Sequence, residues 1–351
     1  MDQSTSLNLQ SEDKNSTAVG CKNLSIECLD KWNVDGAKNK YRLFWEGNFC
    51  DSNTYDYGEV TSDTLMILVK KCANIFVELG LGVSGSVLLY LPNILQLPVA
   101  ALAAIRIGAS FIPYSAANED IEDLKNVILK GNTNIIVTVD GFWRGKRLVR
   151  TKWILDEAVQ QINMKIKHIL VIRHTTPNDG VPPPPKETLG RRPYYAYKIE
   201  MQDGRDSWWA NHFVNATNHE AATDNQSGIM KQPIWINESL SLQQLRSNDV
   251  YDHVNKLAKL VKSEGICFVA SYSDASLSVI AALSVLFSGS QLLIAKKLII
   301  PEKDLLALID HPEYLRMWNT KFLENIIIIG SDRYIKTMAT IFDVPCINLI
   351  C

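Results

Sequence analysis

The sequence predicts an α/β fold made of two doubly wound, largely parallel-sheet subdomains, and three observations carry the prediction. From residue 54 onward, short β-rich runs alternate with helix-length segments, the pattern of βαβ units. The 351 residues are 46% apolar and 21% charged. That length suggests about two domains of roughly 150 residues, with enough apolar matter for two cores. Finally, Ala100-Ala101-Leu102 with Gly108 recurs as Ala281-Ala282-Leu283 with Gly289 at a constant offset of 181 residues. Two similarly built units explain the recurrence, with duplication one origin and the general likeness of apolar helices another.

Each element has a local reason. Residues 1–20 hold Asp2, Glu12, Asp13 and Lys14 with no arginine and no apolar run, so they read as a disordered tail without a secretory or transit signal. Thr61 or Ser62 can cap a helix whose Leu65, Leu68, Val69, Cys72, Ile75, Phe76 and Leu79 recur at three and four residues, ending near Gly80. A strand over 87–91 leads to a small-residue helix over 95–107 stopped by Gly108, then a strand over 110–113. An acidic-capped helix over 119–130, a strand over 135–139, a helix over 153–162 and a strand over 169–172 complete the first unit. Pro182 to Pro185 lie in a loop, 175–204, because proline lacks the N–H that a ladder needs. The second unit reads as a strand over 266–270, a helix over 277–287, a strand over 291–295, a helix from Glu302, a strand over 325–329 and a closing apolar run over 346–350. The uncharged stretch 275–295 is long enough to span a bilayer, but its serines and Gly289 favour a buried helix, turn and strand.

Composition also bounds function. With 36 Lys+Arg against 38 Asp+Glu the net charge is −2, which removes the electrostatic case for nucleic acid and leaves small molecules as the expected partners. Seven cysteines without a C-x-x-C pair or a zinc-like spacing indicate a reducing compartment, the cytoplasm, and no metal site. The run Asp140-Gly141-Phe142-Trp143-Arg144-Gly145-Lys146-Arg147 leaves the carboxyl end of a predicted parallel strand, where ligands bind in such sheets. Its three cations suit phosphate, and a solvated basic turn is the alternative. Gln226-Ser227-Gly228-Ile229-Met230-Lys231-Gln232-Pro233 offers one glycine and one hydroxyl, which on its own reads as a polar linker. Asp206-Ser207-Trp208-Trp209, followed by His212, reads as a core anchor. No nucleophile-base order or carboxylate pair emerges from local spacing, so no catalytic residue is assigned.

These runs also carry a likeness. Leu24-Ser25-Ile26-Glu27-Cys28-Leu29-Asp30, Phe44-Trp45-Glu46-Gly47, Val87-Leu88-Leu89-Tyr90-Leu91-Pro92 and Ala104-Ile105-Arg106-Ile107-Gly108-Ala109 come first. Thr138-Val139-Asp140-Gly141-Phe142-Trp143-Arg144-Gly145-Lys146, Asp156-Glu157-Ala158 and Gly204-Arg205-Asp206-Ser207-Trp208-Trp209 follow. In order and spacing, from Leu24 to Phe213, the chain resembles the AMP-forming acetyl-CoA synthetases of the adenylate-forming acyl-CoA ligase superfamily. The resemblance implies the fold of that superfamily's large N-terminal domain. It also implies a ligase that converts ATP, acetate and CoA to acetyl-CoA, AMP and pyrophosphate, with Mg2+ accompanying ATP. By the same resemblance Arg144, Lys146 and Arg147 lie by the phosphates of the CoA nucleotide.

Past residue 214 the chain departs from the family. The glycine-rich ATP loop falls on 227–235, where Ser227, Gly228 and Pro233 agree, Ile229 and Met230 replace hydroxyls, and Lys231 is displaced. The expected acetate-pocket pattern is replaced by Ser273-Asp274-Ala275-Ser276-Leu277-Ser278, and up to Cys351 nothing resembles the adenine motif or the hinged C-terminal subdomain. The sequence therefore divides into a tail (1–20), an acetyl-CoA-synthetase-like subdomain (21–214), a degenerate ATP-loop region with a connector (215–264) and a second, truncated α/β subdomain (265–351). The expected function is that of an acetyl-CoA-synthetase-like protein impaired in catalysis on its own. The alternatives are a non-catalytic CoA-binding or interaction protein, associating with itself or with a full-length ligase, and a truncated gene product.

Overall fold

The computed structural model describes residues 23–50, 55–83, 85–144, 147–175, 199–218, 234–236, 242–244, 247–259, 266–269, 275–289, 291–295, 326–330 and 346–348. In chain order, helix α1 (Leu24–Cys28) and a 3-10 turn (Asp30–Trp32) precede strands β1 (Tyr41–Cys50) and β2 (Tyr55–Thr61). Then come α2 (Ser62–Glu78), β3 (Ser86–Leu91), α3 (Gln96–Arg106), β4 (Ser110–Ser115), α4 (Ile121–Gly131) and β5 (Ile135–Val139). The short strands β6 (Phe142–Arg144) and β7 (Arg147–Val149) lead to α5 (Thr151–Gln160), β8 (His168–Ile172), β9 (Asp206–Trp208) and α6 (Trp209–Asn215). The remainder is β10 (Ile234–Ile236), β11 (Leu242–Gln244), α7 (Ser247–Ala258), β12 (Ile266–Val269), α8 (Ala275–Ser288), β13 (Gln291–Ala295), β14 (Ile326–Gly330) and β15 (Cys346–Asn348).

The first sheet is wholly parallel, in the order β4-β3-β5-β8-β9. Every residue of β3 and β5 is buried, which explains why these strands read as continuous apolar runs rather than alternating ones. Val87, Leu89, Leu91, Val137 and Leu170 face one core with α2, α3 and α8. Leu88, Tyr90, Ile136, Ile169 and Val171 face the other, with α4 and α5, so the sheet is covered on both sides. The second sheet runs β15-β14-β12-β13-β1-β2 and is parallel apart from the antiparallel β1–β2 pair. The units β3-α3-β4 and β12-α8-β13 are matching parallel βαβ crossovers, and the 181-residue offset links Gly108 to Gly289 and the first residue of β4 to that of β13.

The sequence reading begins its alternation at residue 54, and the structure adds β1 before it. Arg42 and Glu46 interrupt the apolar residues and Gly47 breaks the run, so neither a two-residue nor a 3.6-residue period is visible there. Leu43 of β1 sits opposite Leu292 of β13. The predicted helix from Glu302 lies outside the described residues, as does the tail 1–20. Among the described residues no helix is long and apolar enough to cross a membrane, and the uncharged stretch becomes α8, a turn at Gly289 and β13.

The residues before β1 fasten α8. Two of its last four carbonyls accept bonds from β1 or that segment, Leu286 from Arg42 Nη2 (2.7 Å) and Phe287 from Trp32 Nε1 (3.2 Å), and one turn earlier Leu283 O accepts from Cys28 Sγ (3.4 Å). Helix ends need such partners, and a cation there also complements the dipole. Burial raises the Cys28 thiol well above its ordinary range, so it stays protonated, and Cys28 and Cys72 are both unbridged and buried. Gly289 follows with φ +86°, and a Cβ there would sit 2.8 Å from the Trp32 ring. Gly289→Ala is therefore expected to cost about 2–4 kcal/mol, from left-handed strain plus displacement of Trp32 from its bond. Chemical denaturation checks it, and a loss under about 0.5 kcal/mol, the range of a neutral surface change, contradicts it.

At the amino end of the first sheet, Arg106 closes α3 with a buried guanidinium held by Asp30: Nη1 to Oδ2 at 2.8 Å and Nη2 to Oδ1 at 2.9 Å. Asn23 caps α1 and also donates from Nδ2 to Ile105 O at 3.1 Å. Two of the runs that carry the family likeness thus meet in one bidentate ion pair.

Candidate functional site

The basic run predicted as a loop is a β-hairpin. β6 and β7 pair antiparallel, with Phe142 opposite Val149, Trp143 opposite Leu148 and Arg144 opposite Arg147. The hairpin leaves the carboxyl end of β5, the edge where parallel sheets bind ligands. Phe142 and Val149 anchor its base in the core shared with α4 and α5. Lys146 lies outside the described residues, and so do Ser227 and Gly228; the structure pairs Arg144 with Arg147, and within the predicted ATP loop 227–235 it describes Ile234 and Trp235, in β10.

Asp140 sits beneath the hairpin, wholly buried. Its Oδ1 accepts the N–H of Gly141 at 2.7 Å, of His174 at 2.9 Å and of Thr175 at 3.0 Å, and Oδ2 accepts Thr175 again at 3.1 Å. Sequence reading names Asp140 only as the first residue of the loop. The signal available was an Asp ahead of a Gly at a strand end, a pattern whose carboxylate commonly caps nearby backbone.

The acidic run 156–158 and the run Gly204-Arg205-Asp206 meet in a second cluster, joined by Lys152. Lys152, with 1% of its side chain exposed, reaches Asp156 at 2.6 Å and Asp206 at 2.9 Å, and donates to Glu200 O at 3.2 Å. Arg205 completes the ring, from Nε to Asp206 Oδ1 at 2.6 Å and from Nη2 to Asp156 Oδ1 at 2.8 Å. Two cations and two anions leave the cluster neutral, and it locks α5 to β9. Burial lifts the Asp156 carboxyl above its usual range against the pull of Lys152 and Arg205. At Asp206 burial pushes the same way, but bonds from Arg205, the Gln202 N–H and Lys152 outweigh it and hold the carboxyl low.

Two further polar groupings line this half of the molecule. Tyr114 OH donates to Asp123 Oδ2 at 2.6 Å, Asn118 Nδ2 bonds both, and Tyr90 OH donates to Asn118 O at 2.8 Å. Burial and the Asp123 carboxylate push the Tyr114 phenol far up, so it remains a donor. Ser207 Oγ lies 2.8 Å from His212 Nε2, and burial lowers that imidazole's pKa. Trp209 is buried and stacks on Phe213, as an anchor should, while Trp208 carries Arg173 over its ring at 3.7 Å. No cluster of metal-ligating side chains occurs among the described residues.

No family model matches the chain. Curated proteins do. An acetyl-coenzyme A synthetase of Pyrobaculum aerophilum is 31% identical over 191 residues, 53% of this chain and 25% of that protein. The acetyl-coenzyme A synthetase of Drosophila melanogaster is 29% identical over 191 residues, 53% of this chain and 26% of its own length. The matched stretch is close in length to the one from Leu24 to Phe213, and it spans about a quarter of those relatives. Among solved structures, an acyl-CoA synthetase of Brucella canis superposes with a TM-score of 0.61 at 13% identity, covering 93% of this chain and 56% of that one, a likeness of fold. The chain is thus related to acetyl-CoA synthetases over about half its length and has the fold of an acyl-CoA synthetase.

Proposed function

We propose that this chain is an acetyl-CoA-synthetase-like protein that binds coenzyme A at the β6–β7 hairpin through Arg144, Lys146 and Arg147, and that alone it adenylates acetate poorly. The observation that carries the reading is the register of the hairpin. Arg144 stands opposite Arg147 at the carboxyl end of a parallel sheet, within a run that resembles acetyl-CoA synthetases. Like charges at paired positions repel. A phosphate between two guanidinium forks turns that repulsion into charge-assisted hydrogen bonds. CoA supplies three phosphates on its nucleotide end, and the family reaction consumes it together with acetate and ATP. By the family resemblance Ser227 and Gly228 are the residues that would meet ATP phosphates, and Mg2+ bound with ATP would offset phosphate charge there. The unbridged thiols of Cys28 and Cys72 suit a reducing compartment such as the cytoplasm.

Calorimetric titration with CoA tests the reading. Saturable binding is expected for the unaltered protein, and Arg144→Ala should weaken it about 10- to 100-fold, the loss of one charge-assisted contact. Absence of heat with the unaltered protein, or equal affinity in the variant, overturns the CoA site.

A further inference from the structure

A hairpin of three residue pairs is marginal by itself, so its direction is set at its base. That base is organised by Asp140. Its carboxylate holds the N–H of Gly141, where the first arm begins, and the N–H groups of His174 and Thr175, where the chain leaves β8. Its carbonyl accepts the N–H of Lys152, in the first turn of α5 just past the second arm, at 3.3 Å, and its own N–H donates to Ile172 O at 3.0 Å. One buried residue therefore joins the entry of the hairpin, its exit and the neighbouring strand end.

We propose that Asp140 is a positioning residue for the hairpin, fixing the strand pair that carries Arg144 and Arg147 for contact with the CoA phosphates; this rests on the reading of the hairpin as the CoA site. Both carboxylate oxygens are used as acceptors. An asparagine would keep the three bonds to Oδ1, but would set an NH2 against the Thr175 N–H where Oδ2 now accepts, and would remove the charge that strengthens all four. The hairpin base then loosens while both cores of the first sheet keep their packing.

The test compares Asp140→Asn with Asp30→Asn, which weakens the Arg106 pair at the opposite, amino end of the sheet. CoA affinity is measured by calorimetry, and backbone exchange by mass spectrometry without CoA. Asp140→Asn is expected to bind CoA at least about tenfold more weakly and to exchange faster over 141–149 and 174–175, with β3 and β4 protected as before. Asp30→Asn is expected to lose stability with unchanged CoA affinity. Equal CoA affinity in Asp140→Asn, or faster exchange spread evenly through the sheet, overturns the positioning role. If the unaltered protein binds no CoA, the reading of the site fails, while the exchange pattern still decides whether Asp140 aims the hairpin. Should Asp140→Asn fail to fold, exchange in the unaltered protein decides: Gly141, Lys152, His174 and Thr175 must open together, and independent opening overturns the proposal.

Discussion

In an ATP–pyrophosphate exchange assay with acetate, the chain alone is expected to turn over at about 10⁻³ s⁻¹ or less. Catalysis of adenylyl transfer is mainly positioning and charge stabilisation by preorganised donors. By resemblance the donor loop falls on 227–235, and there Ile229 and Met230 present alkyl and thioether groups where hydroxyls are expected. By analogy with a single oxyanion donor, each loss costs about 10²-fold, so two take an ordinary turnover of about 10 s⁻¹ down to about 10⁻³ s⁻¹. Exchange near 1 s⁻¹ would show that the loop is not needed as read. Restoring the hydroxyls, as Ile229→Thr with Met230→Ser, should raise the rate if any exchange is measurable.

Asp206→Ala should be the most damaging single change for stability, at about 3–5 kcal/mol, the range for removing one partner of a buried ion pair. The carboxylate has no exposed side-chain surface and serves Lys152, Arg205 and the Gln202 N–H at once. Its loss leaves the Lys152 ammonium, among the described residues, with Asp156 as its remaining ion-pair partner, between α5 and β9. Urea denaturation should show a lower midpoint at unchanged slope. A loss below about 1 kcal/mol would place the cluster with ordinary surface pairs. The acid dependence has a definite sign. Since the folded carboxyl titrates below its unfolded value of about 3.9, its contribution is present above that value and is lost as pH falls through the folded pKa. Asp206→Ala should remove that part of the acid sensitivity.

The parallel strands and crossover helices were legible because burial on both faces leaves continuous apolar runs bounded by glycine, as in β3, β5 and α3. Gly108 and Gly289 marked helix ends for a physical reason, since both have positive φ. Some elements that escaped notice, β9 and β1 among them, draw their stability from partners far along the chain, while the β6–β7 hairpin escaped because its arms are only three residues long. β9 is three residues long and exists through its pairing with β8 and the charge ring of Lys152 and Arg205. β1 mixes charge with apolar residues because Arg42 is spent on the Leu286 carbonyl of α8. At the candidate site the cations could be seen in the sequence, but their arrangement could not. That Arg144 faces Arg147, and that Asp140 gathers the N–H groups of residues 141, 174 and 175, are facts of register and tertiary contact.

The pairing of β1 with β13 sets a schedule for folding on the ribosome. Leu43 is synthesised 249 positions ahead of its partner Leu292. At about 5–20 residues per second, β1 waits roughly 12–50 s for the strand that covers it. During that interval the strands of the first sheet, which lie within a single stretch of chain, can pair, while its α8-covered face stays open and β1 and β2 stand as an open hairpin edge. Such an edge is a template for pairing with other chains. The second sheet is therefore expected to form more slowly than the first, and misassembly of the nascent chain is expected chiefly before β13 emerges.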